Sequence, residues 1–195
     1  MSLKACLLSV CLFFGLQQIA LAGPVDRAEA AIQAIDTLQA DFVQIASDGS
    51  SASGKIYLRR PFQMRIDYDG TTPISLLATR VWLHIDDPFE KMVTSYPISE
   101  TPLSLLLQKD VKLRGDDFTT SVNEAGGVTQ ITLDRETGDA AGTLTLEFET
   151  SSYRLRRWII EDSVGVSTAV TIQNEIYGVT LDNRLFAVPN YESDS

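Results

Sequence analysis

Enzyme chemistry needs nucleophiles, bases or metal ligands that converge, and this chain offers few of them. His84 is its one histidine, and Cys6 and Cys11 are its two cysteines. A serine triad through His84 would need a glycine-flanked nucleophilic serine, which is missing, and Val81-Trp82-Leu83-His84-Ile85 has the character of a strand. The acidic pairs Asp86-Asp87, Asp116-Asp117 and Glu161-Asp162 fall at turns or strand ends, where solvated carboxylates are expected, and none has EF-hand spacing. The sequence therefore predicts no catalytic residue, metal site or cofactor. Arg60 is the polar residue that asks for an explanation. It shares its parity with Ile56, Leu58, Met64 and Ile66, so an inward guanidinium would need acceptors for five N–H groups. Alternatively, a bend at Pro61 turns it outward, and the pattern alone leaves both orientations open.

The N-terminus disposes of the cysteines. Lys4, the apolar run from Ala5 to Leu16 and the small-residue site Ala20-Leu21-Ala22 read as an export leader at residues 1–22, cleaved after Ala22. The run is too short for a permanent membrane span, which takes about 20 apolar residues. Both cysteines lie within it, so the processed chain would hold neither disulfide nor thiolate. Val10 before Cys11 argues against lipid attachment there. Residues 23–195 are long enough for one domain with a sizeable core and too short for two. The net charge of −10 disfavours nucleic acid and anionic membrane surfaces as partners.

The elements that must position Arg60 follow from periodicity. Ala28, Ala31, Ile32, Ile35 and Leu38 are spaced as one face of a helix of about three turns. Beyond it the dominant period is two. Ile56 to Tyr68 alternates apolar with polar, Pro61 breaking or bulging the middle, and Leu144, Leu146 and Phe148 alternate with Thr143, Thr145, Glu147 and Glu149. Turn residues recur between these runs, as expected for a meander of short antiparallel strands closing on itself. Thr101-Pro102 interrupts the rhythm as an N-cap and first helical position, followed by Leu103, Leu105, Leu106 and Leu107. That predicts a helix of about two turns with leucines on several sides, fit for a lid over a concave sheet.

These pieces resemble the periplasmic outer-membrane lipoprotein carriers of the LolA type. The similarity rests on Leu38-Gln39-Ala40-Asp41-Phe42-Val43-Gln44, Gly54-Lys55-Ile56-Tyr57-Leu58-Arg59-Arg60-Pro61 and Met64-Arg65-Ile66-Asp67-Tyr68. It continues through Val81-Trp82 to Asp87-Pro88, Thr101 to Leu107, Asp117-Phe118, Asp162 to Gly165 and Leu185 to Pro189. The resemblance implies a mainly β fold with short helices, an incomplete, unclosed antiparallel β-barrel with a helical lid over an apolar cavity. It implies that Arg60 points inward and bonds lid carbonyls, latching the empty carrier. It implies acylated lipoproteins as cargo, an inner-membrane ABC-type transporter as donor, an outer-membrane acceptor lipoprotein, a monomer and a non-enzyme. Departures from the family are Leu77-Ala78-Thr79-Arg80 before Trp82, where Asp-Gly is frequent, and His84, where an aromatic is common. The longer C-terminal tail of some members is expected to be missing after Pro189.

On that basis Ile56, Leu58, Met64, Ile66, Tyr68, Trp82, Leu144, Leu146 and Phe148 are expected to line the acyl-chain cavity, with Leu103, Leu106 and Leu107 filling it when empty. Ordinary core packing is the competing reading for each. Two other functions compete with the carrier: a lipid-sensing regulator on the same half-barrel, and a secreted hydrolase.

Overall fold

A computed structural model describes residues 22–71, 73–102, 104–136 and 141–191. Residues 1–21 of the expected leader, Leu103, and a turn that the sequence predicts at Thr137-Gly138-Asp139 lie outside the described residues. Helix α1 (Pro24–Gln33) comes first, with Pro24 opening it and the Asp26 carboxylate accepting from the Gly23 N–H at 3.0 Å. Eleven strands follow. These are β1 (Thr37–Ala46), β2 (Ser51–Arg59), β3 (Gln63–Tyr68), β4 (Ser75–Ala78), β5 (Trp82–Asp87), β6 (Met92–Pro97), β7 (Thr119–Ala125), β8 (Val128–Arg135), β9 (Gly142–Glu149), β10 (Leu155–Asp162) and β11 (Ser167–Tyr177). Helix α2 (Ser104–Leu107) lies between β6 and β7, behind a 3-10 turn at Ile98–Glu100.

All eleven strands form one antiparallel sheet in the order β6-β5-β4-β3-β2-β1-β11-β10-β9-β8-β7. Hairpins run outward from β1 to β6 and inward from β7 to β11, and the two series meet where β1 pairs with β11. The outer strands β6 and β7 do not pair, so the barrel stays open. The chain between them must therefore pass from one edge of the sheet to the other. It does so across the concave face, where Leu107, Val111 and Leu113 are buried in the core.

Register explains which side chains meet there. Leu38, Leu58, Met64 and Ala78 are successive partners across four strands, as are Ala40, Ile56, Ile66 and Leu76. On the far side Val170, Trp158, Leu146 and Ile131 form an equivalent row. Gly54 faces Tyr68, and a Cβ there would overlap the Asp67 carbonyl and the Phe42 ring. Its absence lets Phe42 and Tyr68 meet edge to face at 5.3 Å.

Two expectations are corrected and a third is narrowed. Leu38 belongs to β1 rather than to the helix, which ends at Gln33. Pro61 breaks the run rather than bulging it. Residues 60–62 turn a hairpin between β2 and β3, and parity survives because Leu58 pairs with Met64 across it. The helix after Pro102 has one turn, not two, since the Thr101 hydroxyl donates to the Ile98 carbonyl at 2.9 Å and closes the preceding 3-10 turn.

The convex face carries its own covering. Asp182 to Tyr191 runs over it, with Arg59 donating to Asn183 Oδ1 at 2.7 Å and stacking on the Phe186 ring. The Tyr191 hydroxyl donates to Asp86 at 2.7 Å. Asp86 is accordingly buried, against the expectation of a solvated turn acid.

Candidate functional site

The lid begins with a helix too short to hold itself together, since one turn leaves its backbone carbonyls without intrahelical partners. The hairpin at 60–62 supplies donors. Arg60 Nη1 donates to the Leu106 carbonyl at 2.8 Å, and Nη2 donates to those of Gln108 at 2.7 Å and Lys109 at 3.3 Å. The Phe62 N–H donates to the Leu107 carbonyl at 2.8 Å. Four consecutive carbonyls, 106 to 109, are thus tied to one hairpin. Phe62 adopts φ of 74°, an uncommon conformation for a residue with a side chain. Burial lowers the Arg60 pKa from its usual value, opposed by the nearby Asp36 charge.

Helix α1 holds the rest of the lid from the other side. Gln33 donates to the Lys109 carbonyl at 3.0 Å and accepts from the Val111 N–H at 3.0 Å, and Glu29 accepts from the Leu113 N–H at 2.7 Å. Arg114 pairs with Asp26 at 2.6 Å, which lowers the Asp26 pKa. Among the described residues the lid thus rests mainly on side chain to backbone hydrogen bonds, each worth about 1 kcal/mol or a little more where charged.

Beneath it Leu106 and Leu107 enter a cavity walled by Leu38, Ile56, Leu58 and Met64 on β1 to β3. Ile32 and Ile35 from α1, Leu155 and Trp158 on β10, and Ile172 and Tyr177 on β11 complete it. Only about 40 Å³ is left open, room for a few water-sized spheres. The lid leucines therefore occupy the space that an apolar ligand would need.

The predicted lining divides. Ile56, Leu58 and Met64 line this cavity with Leu106 and Leu107. Ile66 and Tyr68 lie in the core beyond it, and the Tyr68 hydroxyl donates to Gln44 at 2.8 Å. Leu146 and Phe148 are fully buried in the opposite half of the sheet, and Leu144 lines a smaller cleft with Leu105, Phe118 and Leu133. Trp82 stands apart: it is 44% exposed, because β5 pairs Ala78 with Leu83 and so sends Trp82, His84 and Asp86 to the convex side.

Sequence reasoning missed Leu155, Trp158 and Tyr177, and the reason is geometric. A register shift between Leu155 and Arg157 lets residues three apart face the same way. A second irregularity, where Asn174 has φ of 52°, lets Ile172 and Tyr177, five apart, share a face. A period of two cannot be followed through either.

His84 Nδ1 lies 2.8 Å from Ser95 Oγ, its one side-chain hydrogen bond among the described residues, and burial lowers its pKa. Among the described residues no group of three acidic, histidine or cysteine side chains is placed to hold a metal, and no helix is long and apolar enough to cross a membrane.

Residues 33–189 match the profile of the outer membrane lipoprotein carrier protein LolA. The chain belongs to the LolA family. An outer-membrane lipoprotein carrier protein from Azotobacter vinelandii is 29% identical over 84% of this chain and 80% of its own length. Its counterpart from Histophilus somni is 31% identical over 51% of this chain, which thus spans only about half (53%) of that relative. A crystal structure of a LolA-superfamily protein from Nitrosomonas europaea superposes with a TM-score of 0.50 over 84% of this chain and 96% of its own, at 8% identity, a likeness of fold.

Proposed function

We propose that this protein is a periplasmic carrier that shields the acyl chains of lipoproteins between the inner and outer membranes. The leader, removed after Ala22, delivers it there. The observation that carries this reading is the lid. Its apolar side chains fill a cavity while its carbonyls are held by Arg60 and the Phe62 N–H on the opposing hairpin, with Gln33 of α1 sharing the Lys109 carbonyl.

Three acyl chains of about 15 methylenes, at about 0.8 kcal/mol each, hold a lipoprotein in a bilayer by roughly 36 kcal/mol. A carrier must offer comparable apolar surface, and the cargo must be extracted by an energy-coupled donor, here an inner-membrane ABC-type transporter. An outer-membrane lipoprotein is the acceptor, and the carrier acts as a monomer without covalent chemistry. Arg60 is the latch. Incoming chains displace Leu106 and Leu107 into solvent, the four carbonyls exchange Arg60 and Phe62 for water, and the hairpin stays in place.

Mass spectrometry of the protein purified from the periplasm tests the cargo, with triacylated lipoprotein as the expected companion. A titration with bis-ANS tests the cavity. Leu106→Asp and Ile56→Asp should weaken dye binding at least tenfold, and a wild type that binds no dye overturns the reading.

A further inference from the structure

A second concavity opens to solvent between the C-terminal half of α1 and the turn at 152–155 that leads into β10. Its volume is about 350 Å³, within the range of about 300–1,000 Å³ usual for small-molecule sites. Ile32, Ile35, Leu155 and Tyr177 line both this groove and the lid cavity, so these four side chains form a common wall. Ala34, exposed at the C-cap of α1, leaves the helix side of the groove low.

One cation stands on this otherwise mostly apolar surface. Arg154 lines the groove, and its guanidinium lies 5.9 Å from the Tyr177 ring centroid. Its neighbours in sequence are neutralised, Arg156 by Glu175 at 2.7 Å and Arg157 by Glu147 at 3.8 Å. Arg154 makes no ion pair with any carboxylate among the described residues. In a chain of net charge −10, an arginine left without an acid beside an apolar groove marks a place for an anion with a hydrocarbon tail.

We propose that this groove binds a long-chain fatty-acid anion, its carboxylate on Arg154 and its hydrocarbon chain along Ile35, Leu155 and Tyr177. The site is distinct from the lid cavity, which the carrier reading concerns. Because the wall is shared, a chain in the groove presses on the same side chains that a cargo chain would contact, and the two ligands compete.

The test is a fluorescence titration at pH 8 with cis-parinaric acid and its methyl ester, on wild type, Arg154→Glu, Ala34→Trp and Leu106→Asp. Arg154 and Ala34 are exposed, so these two substitutions leave the fold intact. Arg154→Glu should weaken the acid about tenfold and leave the ester unchanged, whereas Ala34→Trp should weaken both. Equal binding of acid and ester together with no effect of Arg154→Glu overturns the proposal. Loss of binding in Leu106→Asp alone assigns the probe to the lid cavity: the groove falls and the carrier reading stands. Loss in Ala34→Trp with Leu106→Asp unaffected supports the groove and counts against the cavity. A wild type that binds neither probe removes both.

Discussion

The two halves of the concave face are built from the same alternation and end in different states. On β8 and β9, Ile131, Leu146 and Phe148 have no exposed surface, and the Tyr153 ring stacks on Phe148. On β1 to β3, Leu58 and its neighbours face a cavity that Leu106 and Leu107 enter. The first group is closed core, and the second is closed by a segment that arrives from elsewhere on hydrogen bonds. Apolar parity makes a face, and what covers the face decides whether it is core or container.

The largest difference should appear in unfolding. Leu146→Ala removes a fully buried side chain and should cost about 2–5 kcal/mol in a urea titration. Leu106→Ala, in the half-exposed lid, should cost under about 1 kcal/mol and increase bis-ANS binding. Equal costs would mean that the lid is core and the halves do not differ.

Gly54→Ala probes the core beyond the cavity on the same strands. Its Cβ has no room between Asp67 and Phe42, and the expected loss is about 1–3 kcal/mol with dye binding unchanged. A neutral substitution would show that this core yields as readily as the lid.

Arg60→Leu should leave the sheet folded, changing global stability by less than about 2 kcal/mol, while amide exchange at residues 104–109 accelerates at least tenfold. Unchanged exchange would show that Gln33 and Phe62 hold the lid without Arg60.

The smallest effect belongs to the convex face. Burial depresses the folded pKa of His84 below its ordinary 6.5, so the unfolded chain binds the proton first. This contribution is fully present above pH 6.5 and is lost as pH falls below it. Thermal scans from pH 8 to pH 5.5 should show a decline that His84→Gln makes shallower. Identical profiles would remove His84 from the account.

The sequence by itself determined the sheet, one apolar face, and the interruption at Thr101 to Leu107, because alternation and turn residues are local properties that neighbours along the chain enforce. It placed Arg60 among inward positions without deciding its orientation. That was decided by the carbonyls of Leu106, Gln108 and Lys109, which come from more than forty positions away and exist as acceptors only once a one-turn helix leaves them free. Tertiary structure likewise chose which apolar residues line the cavity. Leu155, Trp158 and Tyr177 reach it through irregular pairings, and Trp82 is carried away from it by the register of β5. Parity assigns a residue to a face, whereas a cavity lies wherever on that face two distant segments fail to fill the space between them.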